Sequence, residues 1–539
     1  MKMRTNYDSA TKVWSAPQRP YTFGDRSVGE VVYDALRTRP DRIIEICHET
    51  GKKVTAAEMY KNSVNVARSY LQMGLTENDV VLIILNNHHF VAPIVVGATF
   101  IGAAFCALEV GLNRKDLRNL MYQLQPKVIV CEKTEFIKVR SLVTELDMRV
   151  DVFVNNPLHP NSHEDLFIDL GDHDNFKPTI LRNVEDRTAA VLSSSATMGT
   201  YKLIAISHPQ LLHNYTENFG IVETLFTYST LSWITGIVAL FGCIVLNVRR
   251  IITPKSFNPV DFLEIIQKYS VNLILLQPDR LNATLNCPKI EETNFDSVYV
   301  VMVTGKPLPE HMKIKMEKYL TAGAIVTTYG MTETAGTITS SMYSSDKKGS
   351  AGLLVDNTCA KICDEFGYTL NPGQVGEIHV KGEFKFLGYY NNPKLTESSI
   401  DDEGYLKTGD IGYIDEDGEL FIVDRKKDTI VMGKHFVYPS ILEGIIHQHP
   451  GVYDVCIIEA PHPELSMVPV AAVIPRTGAN VTADEIVEFV AKRQPPELQL
   501  KGGVVFVDDL AKTATGKFKR YLVKETVAQK LAESNKHMR

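Results

Sequence analysis

The 539-residue sequence has no excess of basic charge: 57 Lys and Arg stand against 64 Asp and Glu, for a formal charge of −7. A nucleic-acid-binding domain is normally basic, so no nucleic-acid partner is expected. Cysteine is sparse. The eight (Cys47, Cys106, Cys131, Cys243, Cys287, Cys359, Cys363 and Cys456) include no CxxC pair, which predicts unpaired, mostly buried thiols in a reducing compartment. Cys359 and Cys363 would share a face on a helix, and no histidine lies near them in sequence, so no zinc site is expected there. Residues 1–8 hold basic side chains but no apolar run, so a signal peptide is not expected. The end of the chain, His537-Met538-Arg539, is not a Ser-Lys-Leu type of address. The expected location is cytoplasmic, with the peroxisome as the alternative. Internal repeats and low-complexity segments are missing too, and no signal speaks to oligomeric state.

What is present is ordinary globular composition, 44% hydrophobic and 22% charged, in a chain too long for one core. One stretch, Thr224–Val248, carries no formal charge and is long enough to span a bilayer. Its first half is rich in Ser, Thr and Tyr, and Gly236 and Gly242 interrupt it. A buried helix over Trp233–Phe241 followed by a buried parallel strand over Cys243–Val248 accounts for it, and no transmembrane segment is expected.

Apolar runs and amphipathic stretches alternate elsewhere. Ser27–Arg37 and Val54–Met73 read as amphipathic helices, the second opened by a Thr55…Glu58 capping pattern. Val80–Leu85 and Val128–Cys131 read as strands buried on both faces, with helices over Phe90–Ile101 and Leu117–Gln123. After a polar stretch at 155–177 the pattern restarts, with strands at Ala189–Leu192, Leu273–Leu276 and Val298–Val303. From Gly352 short alternating segments bounded by turn residues indicate a β-rich subdomain. Beyond the charge cluster Asp424-Arg425-Lys426-Lys427-Asp428 lies a smaller α+β pattern. The expected fold is α/β. A large N-terminal domain (residues 1–424) holds two doubly wound sheets plus the β-rich subdomain, and a small mobile α+β C-terminal domain spans residues 425–539.

Chemistry concentrates in one octet, Thr327-Thr328-Tyr329-Gly330-Met331-Thr332-Glu333-Thr334. It follows the apolar run Gly323–Val326 and is placed where that buried strand ends, the position at which open α/β sheets bind ligands. A ring, a glycine, hydroxyls and a carboxylate suit a nucleotide with its metal; a polar loop is the plain alternative. Four further stretches decide between them: Ser193–Lys202 followed by Ser207-His208; Leu406-Lys407-Thr408-Gly409-Asp410; the charge cluster with Val437-Tyr438-Pro439 after it; and Lys512-Thr513-Ala514-Thr515-Gly516-Lys517.

In this order the five stretches resemble those of the adenylate-forming (AMP-binding) superfamily: acyl-CoA synthetases, coumarate–CoA ligases and beetle luciferase-like proteins. The resemblance covers almost the whole chain. It implies a two-step reaction. A carboxylate attacks the α-phosphorus of ATP, releasing Mg-pyrophosphate, and the thiol of coenzyme A then takes the acyl group from the adenylate. It also implies roles. Glu333 would hold Mg²⁺ and Thr332 would bond a phosphate oxygen. Tyr329 would stack on adenine, with Gly305 near the same base. Asp410 would accept from the ribose hydroxyls, with Arg425 beside it. Ser194, Ser195, Thr197, Gly199 and Lys202 would cradle phosphate, and Lys517 would reach the substrate carboxylate and α-phosphate. Lys427 matches the hinge, Gly433 the coenzyme A channel, and Trp233 the acyl pocket. Plainer readings exist for several: a turn cap for Asp410, a solvated charge for Arg425, an exposed tail lysine for Lys517 and core packing for Trp233.

The chain departs from the family pattern in its phosphate loop. Ala196, Met198, Tyr201 and Leu203 stand where Gly, Thr, Pro and Gly are usual. Positive φ at Ala196 would cost about 1–2 kcal/mol. Loss of a hydroxyl at Met198 removes a bond worth roughly 1.5–3 kcal/mol. Weakened, not abolished, pyrophosphate binding is expected. Trp233 stands where many relatives have a histidine before a glycine. Lys434 replaces a second glycine after Gly433, and Val431 stands where luciferases carry a lysine, which argues against light emission. The expected function is ATP-dependent activation of a carboxylic acid, a medium- or long-chain fatty acid, to an acyl-adenylate and then an acyl-CoA thioester. The alternative is a weakly active or non-catalytic nucleotide- and acyl-binding protein.

Overall fold

The computed structural model describes residues 5–194, 201–213, 222–343, 347–512 and 517–537. The expected α/β architecture is what it shows. Two largely parallel sheets carry the first half. One has six strands in the order Lys202–Ser207, Thr188–Ser194, Ala104–Ala107, Val80–Ile84, Val128–Glu132, Asp151–Asn155. The other has nine, and its parallel centre runs Ala324–Met331, Val300–Thr304, Leu273–Leu276, Thr224–Thr227, Arg249–Ile252, Ile43–Cys47. The largest apolar core lies between them. It joins Ile44 of the second sheet, Val81 and Ile83 of the first, and Phe241 of the helix Ile234–Val245. Burying a Phe such as Phe241, which is fully enclosed, contributes roughly 1.5–3 kcal/mol.

Local sequence accounts for several boundaries. Helix Val28–Thr38 begins at Ser27, whose hydroxyl accepts from the Glu30 amide while the Glu30 carboxylate accepts from the Ser27 amide. Helix Ala56–Gln72 starts two residues later than the apolar pattern suggested, because Lys53–Thr55 pairs as a strand with Ile43–Cys47. Thr55 caps it, accepting from the Glu58 amide.

The charge-free stretch divides differently from the expectation. Helix Ile234–Val245 runs through Cys243, and the next strand is Arg249–Ile252, so Cys243–Val248 is not a strand. Neither glycine breaks the helix. Gly236 is there because a Cβ would sit 2.0 Å from the Thr230 carbonyl oxygen. The chain turns at Asn247, with φ 57°. Two arginines then open a central parallel strand, which hydropathy alone argues against. Arg250 is admitted because its register partner is Glu45, and the two form a buried ion pair. Among the described residues no helix is long and apolar enough to cross a membrane.

The β-rich part is a six-stranded sheet ordered Asn6–Asp8, Val13–Ser15, Cys359–Cys363, Gly376–Lys381, Leu406–Ile414, Leu420–Arg425. Its first two strands come from the N-terminus, which the sequence did not suggest; Trp14 anchors them in the core of that sheet. Cys359 and Cys363 lie on a strand, not a helix. Residues four apart share a face on a strand as well, and the neighbouring strand brings His379 Nδ1 to 3.6 Å from Cys363 Sγ. Past the charge cluster, a five-stranded sheet is built on the long hairpin Val452–His462 and Ser466–Pro475, with helices Pro439–Ile446 and Ala483–Ala491 against it.

Candidate active site

The octet does not begin after a strand. Strand Ala324–Met331 continues through Tyr329 and Gly330, because Gly336–Ser340 folds back on it as an antiparallel partner. Gly330 makes that approach possible: a Cβ would lie 2.2 Å from the Gly336 carbonyl oxygen. A single 3₁₀ turn, Thr332–Thr334, then carries Thr332 and Glu333, and Ala335 closes it at φ 56°.

The strand therefore holds Tyr329 rigidly, with its ring half-buried against the core of the antiparallel sheet. The Tyr329 hydroxyl donates to Asp410 Oδ2 at 2.7 Å, and Arg425 Nε meets Asp410 Oδ1 at 2.8 Å. Asp410 and Arg425 are register partners on adjacent strands, so sheet geometry presents the pair. The Asp410 backbone is pinned by its amide donating to Thr408 Oγ1 at 3.0 Å. Burial and the Asp410 carboxylate push the Tyr329 phenol well above its ordinary pKa. Arg425 is drawn down by burial, but Asp410, Tyr329 and Glu333 outweigh that and keep it charged.

On the other side of Glu333, the Tyr389 hydroxyl donates to Glu333 Oε1 at 3.1 Å, and the Lys202 ammonium lies 4.8 Å above the Tyr389 ring centre. Lys202 starts its strand opposite Ser194, so the two are register partners on adjacent antiparallel strands. Ser195, Thr197 and Gly199, with the substituted Ala196 and Met198, lie outside the described residues. Leu203 is buried in the strand, where it packs in the core beneath the six-stranded sheet. Gly305 follows strand Val300–Thr304 at φ 93°, and a Cβ there would meet only Gln277 Cγ at 3.9 Å.

Lys517 arrives from the far end of the chain. Burial and the Arg425 cation, opposed by Asp410 and reinforced by Lys306 and Lys427, pull its ammonium down to about 8. Lys427 sits in the 3₁₀ turn Lys426–Asp428 and is also lowered, by burial first and then by Arg425 and Lys202. Arg425, Lys427, Lys202 and Lys517 thus act on one another, with Asp410, Glu333 and Asp428 opposing them, while Lys306 pairs with Asp279 at 2.8 Å. An anion placed among these cations would relieve their mutual repulsion. Gly433 and Lys434 form the tip between strands Ile430–Met432 and His435–Val437, where the Gly433 amide bonds the Leu465 carbonyl at 3.0 Å. Trp233 precedes helix Ile234–Val245 and donates through Nε1 to Glu109 Oε1 at 3.0 Å; burial raises the pKa of that carboxyl group.

Gly305, Gln277 and Trp233 all follow carboxyl ends of parallel strands in the nine-stranded sheet, which is where such sheets bind ligands. The motifs missed three participants. Tyr389, Glu109 and Lys306 stand in no recognisable pattern; only the position of Lys306 directly after Gly305 could have drawn notice.

A family model described as AMP-binding enzyme matches residues 32–390, and one described as AMP-binding enzyme C-terminal domain matches residues 442–517. The chain belongs to the AMP-binding enzyme family. Among its relatives, luciferin 4-monooxygenase of Photinus pyralis is 29% identical over 96% of this chain and 98% of that protein. Probable 4-coumarate–CoA ligase 1 of Dictyostelium discoideum is 27% identical over 94% of this chain and 96% of its own length. The crystal structure of ATP-bound MatB from Rhodopseudomonas palustris has the same fold, with TM-score 0.81 and 24% identity, covering 92% of this chain and 98% of that one.

The site suits this family's nucleotide. The Glu333 carboxylate is a hard oxygen donor of the kind Mg²⁺ takes, and the Arg425 and Lys517 cations fit phosphate charge. The space over Gly305 leaves room for a flat base to approach the backbone.

Proposed function

We propose that this protein uses ATP to activate a carboxylic acid as its acyl-adenylate and then passes the acyl group to coenzyme A, acting on a medium- or long-chain fatty acid. The observation that carries the reading is the convergence of Lys517 with Asp410 and Arg425. Asp410 and Arg425 present the ribose site from one sheet, and Lys517 supplies a positive charge from the C-terminal segment where the α-phosphate and substrate carboxylate would meet. Glu333 would hold Mg²⁺, which neutralises pyrophosphate charge when bound, and Thr332 and Lys202 would bond phosphate oxygens. Tyr329 would form the adenine face. The domain division at residues 424 and 425, with Lys427 as hinge, lets Lys517 withdraw so that coenzyme A can enter past Gly433. Trp233, tied to Glu109, would wall the acyl pocket.

The test is ATP–pyrophosphate exchange with a panel of fatty and aromatic acids, in wild type and Lys517→Ala. Exchange with at least one acid, lowered on the order of a hundredfold in the variant, is expected. ATP binding without exchange for any acid would instead support the alternative, a nucleotide- and acyl-binding protein with little turnover.

A further inference from the structure

Lys517 stands where its surroundings repel it. Arg425, Lys306 and Lys427 all disfavour its charge, and Asp410 opposes them. A lysine stem is flexible, so this repulsion turns the ammonium aside unless the segment that bears it is held from outside the site.

Arg520, three residues further on, supplies such a hold. It opens helix Arg520–His537. Its Nη1 donates to Glu443 Oε1 at 2.5 Å and its Nη2 to Glu443 Oε2 at 3.2 Å, a two-pronged bond to helix Pro439–Ile446. Nη1 also donates to the Ile457 carbonyl. Glu443 is fixed in turn, because its Oε1 accepts from the Ile457 amide at 2.8 Å. Arg520 Nε lies 3.8 Å from Asp428 Oδ2, which belongs to the same 3₁₀ turn as Lys427. The Arg520 and Glu443 side chains are 21% and 12% exposed, so solvent screens the pair little. Burial works against the Arg520 charge, but Glu443 above all, with Asp428, more than offsets it.

The chain beside Lys517 is tied down as well. Lys512 and Phe518 pair as an antiparallel bridge, and the Lys519 amide donates to the Ala511 carbonyl at 2.8 Å. The Phe518 ring carries two cations, the Lys512 ammonium at 4.9 Å and the Arg520 guanidinium at 5.9 Å from its centre. Lys512 in turn donates to Asp454 Oδ2 at 2.5 Å, on strand Val452–His462.

We propose that Arg520 is a positioning residue for Lys517: its bidentate bond to Glu443 fastens the segment bearing Lys517 to the helix that follows the charge cluster, and so holds the ammonium against the repulsion of its neighbours. Arg520 and Glu443 act through Lys517 and are assigned no contact with nucleotide. The inference rests on the role proposed above for Lys517 but not on turnover, because AMP binding reads it.

A double-mutant cycle on AMP affinity, measured by calorimetric titration of the full chain at about pH 7, where the Lys517 ammonium is charged, tests it. Lys517→Ala is expected to weaken AMP binding about tenfold, and Arg520→Met nearly as much. The two combined are expected to match Lys517→Ala within about twofold, whereas a purely structural role for Arg520 makes the losses add. Glu443→Gln keeps the shape of that side chain and loosens the bond. It should weaken AMP binding about threefold in the wild-type background and leave it unchanged in Lys517→Ala, and it decides the matter if Arg520→Met does not fold. Additive losses, an Arg520→Met affinity equal to wild type, or an AMP affinity that Lys517→Ala leaves unchanged would each overturn the proposal. Failure of ATP–pyrophosphate exchange with every acid would remove the ligase reading and leave the outcome of this cycle untouched.

Discussion

The Tyr329 hydroxyl bonds Asp410 Oδ2 at 2.7 Å, so the strand bearing the octet and the strand Leu406–Ile414 are tied together by their side chains. Asp410 keeps its other oxygen on Arg425. In Tyr329→Phe one bond is lost and the carboxylate remains paired. Nucleotide affinity is expected to fall by about twofold to tenfold, from a hydrogen bond worth roughly 0.5–1.5 kcal/mol, with the melting temperature nearly unchanged. Calorimetric titration with AMP checks this; an affinity equal to wild type would remove Tyr329 from the binding account.

Lys517 supplies a pH signature. Its folded pKa is near 8, below the ordinary lysine value of 10.5. The unfolded chain therefore holds more protons between those values, and this group makes stability rise with pH across that window. The difference in unfolding free energy between wild type and Lys517→Met, measured in urea at several pH values from 7 to 10, should shift in favour of wild type as pH rises. AMP affinity should fall as pH rises through about 8 in wild type, because the ammonium is lost, and show no such inflection in the variant.

Glu45 and Arg250 form a pair buried in the middle of the nine-stranded sheet, and Glu45 Oε1 has no further hydrogen-bond partner. Removing one partner leaves the other charge buried alone. Glu45→Ala is expected to destabilise the protein by about 3–5 kcal/mol, and Glu45→Leu combined with Arg250→Met by much less. Denaturant unfolding of the two variants distinguishes the outcomes.

His379 joins Glu377 and Asp401 in a buried charge network that also takes in Lys361, with Lys426 of the charge cluster bonded to Glu377 at 2.6 Å. Burial opposes its charge, but bonds to Cys363, Glu377 and Asp401 raise His379 to about 9. Glu377 and Asp401, which burial pushes up and their cationic partners pull down further, fall to about 2. The histidine's contribution to stability is full below about 6.5 and is lost as pH climbs through 9. The carboxylates' contribution is full above about 4.5 and is lost as pH falls through 2. His379→Phe should therefore cost on the order of a few kcal/mol at pH 6 and progressively less toward pH 10, measured by unfolding free energy across that range.

Much of this protein was determined by sequence alone. Residue periodicity announces alternating strands and helices, because side-chain spacing is a local property of the backbone. The residues that carry charge chemistry, Glu333, Asp410, Arg425 and Lys517, stand in short recognisable runs. Where the sequence misled, a distant partner had overruled a local preference. Thr327–Met331 reads as loop and forms strand because Gly336–Ser340 pairs with it. Arg249–Ile252 reads as the flank of an apolar run and becomes a central strand because Glu45 lies opposite Arg250. Tyr389, Glu109 and Lys306 carry no local signal, since each acquires its place only when separate elements meet. Tertiary structure alone brought Lys517 to Asp410 and Arg425. Register, burial and the sharing of a few carboxylates among many cations are properties of the assembled chain, and no short segment encodes them.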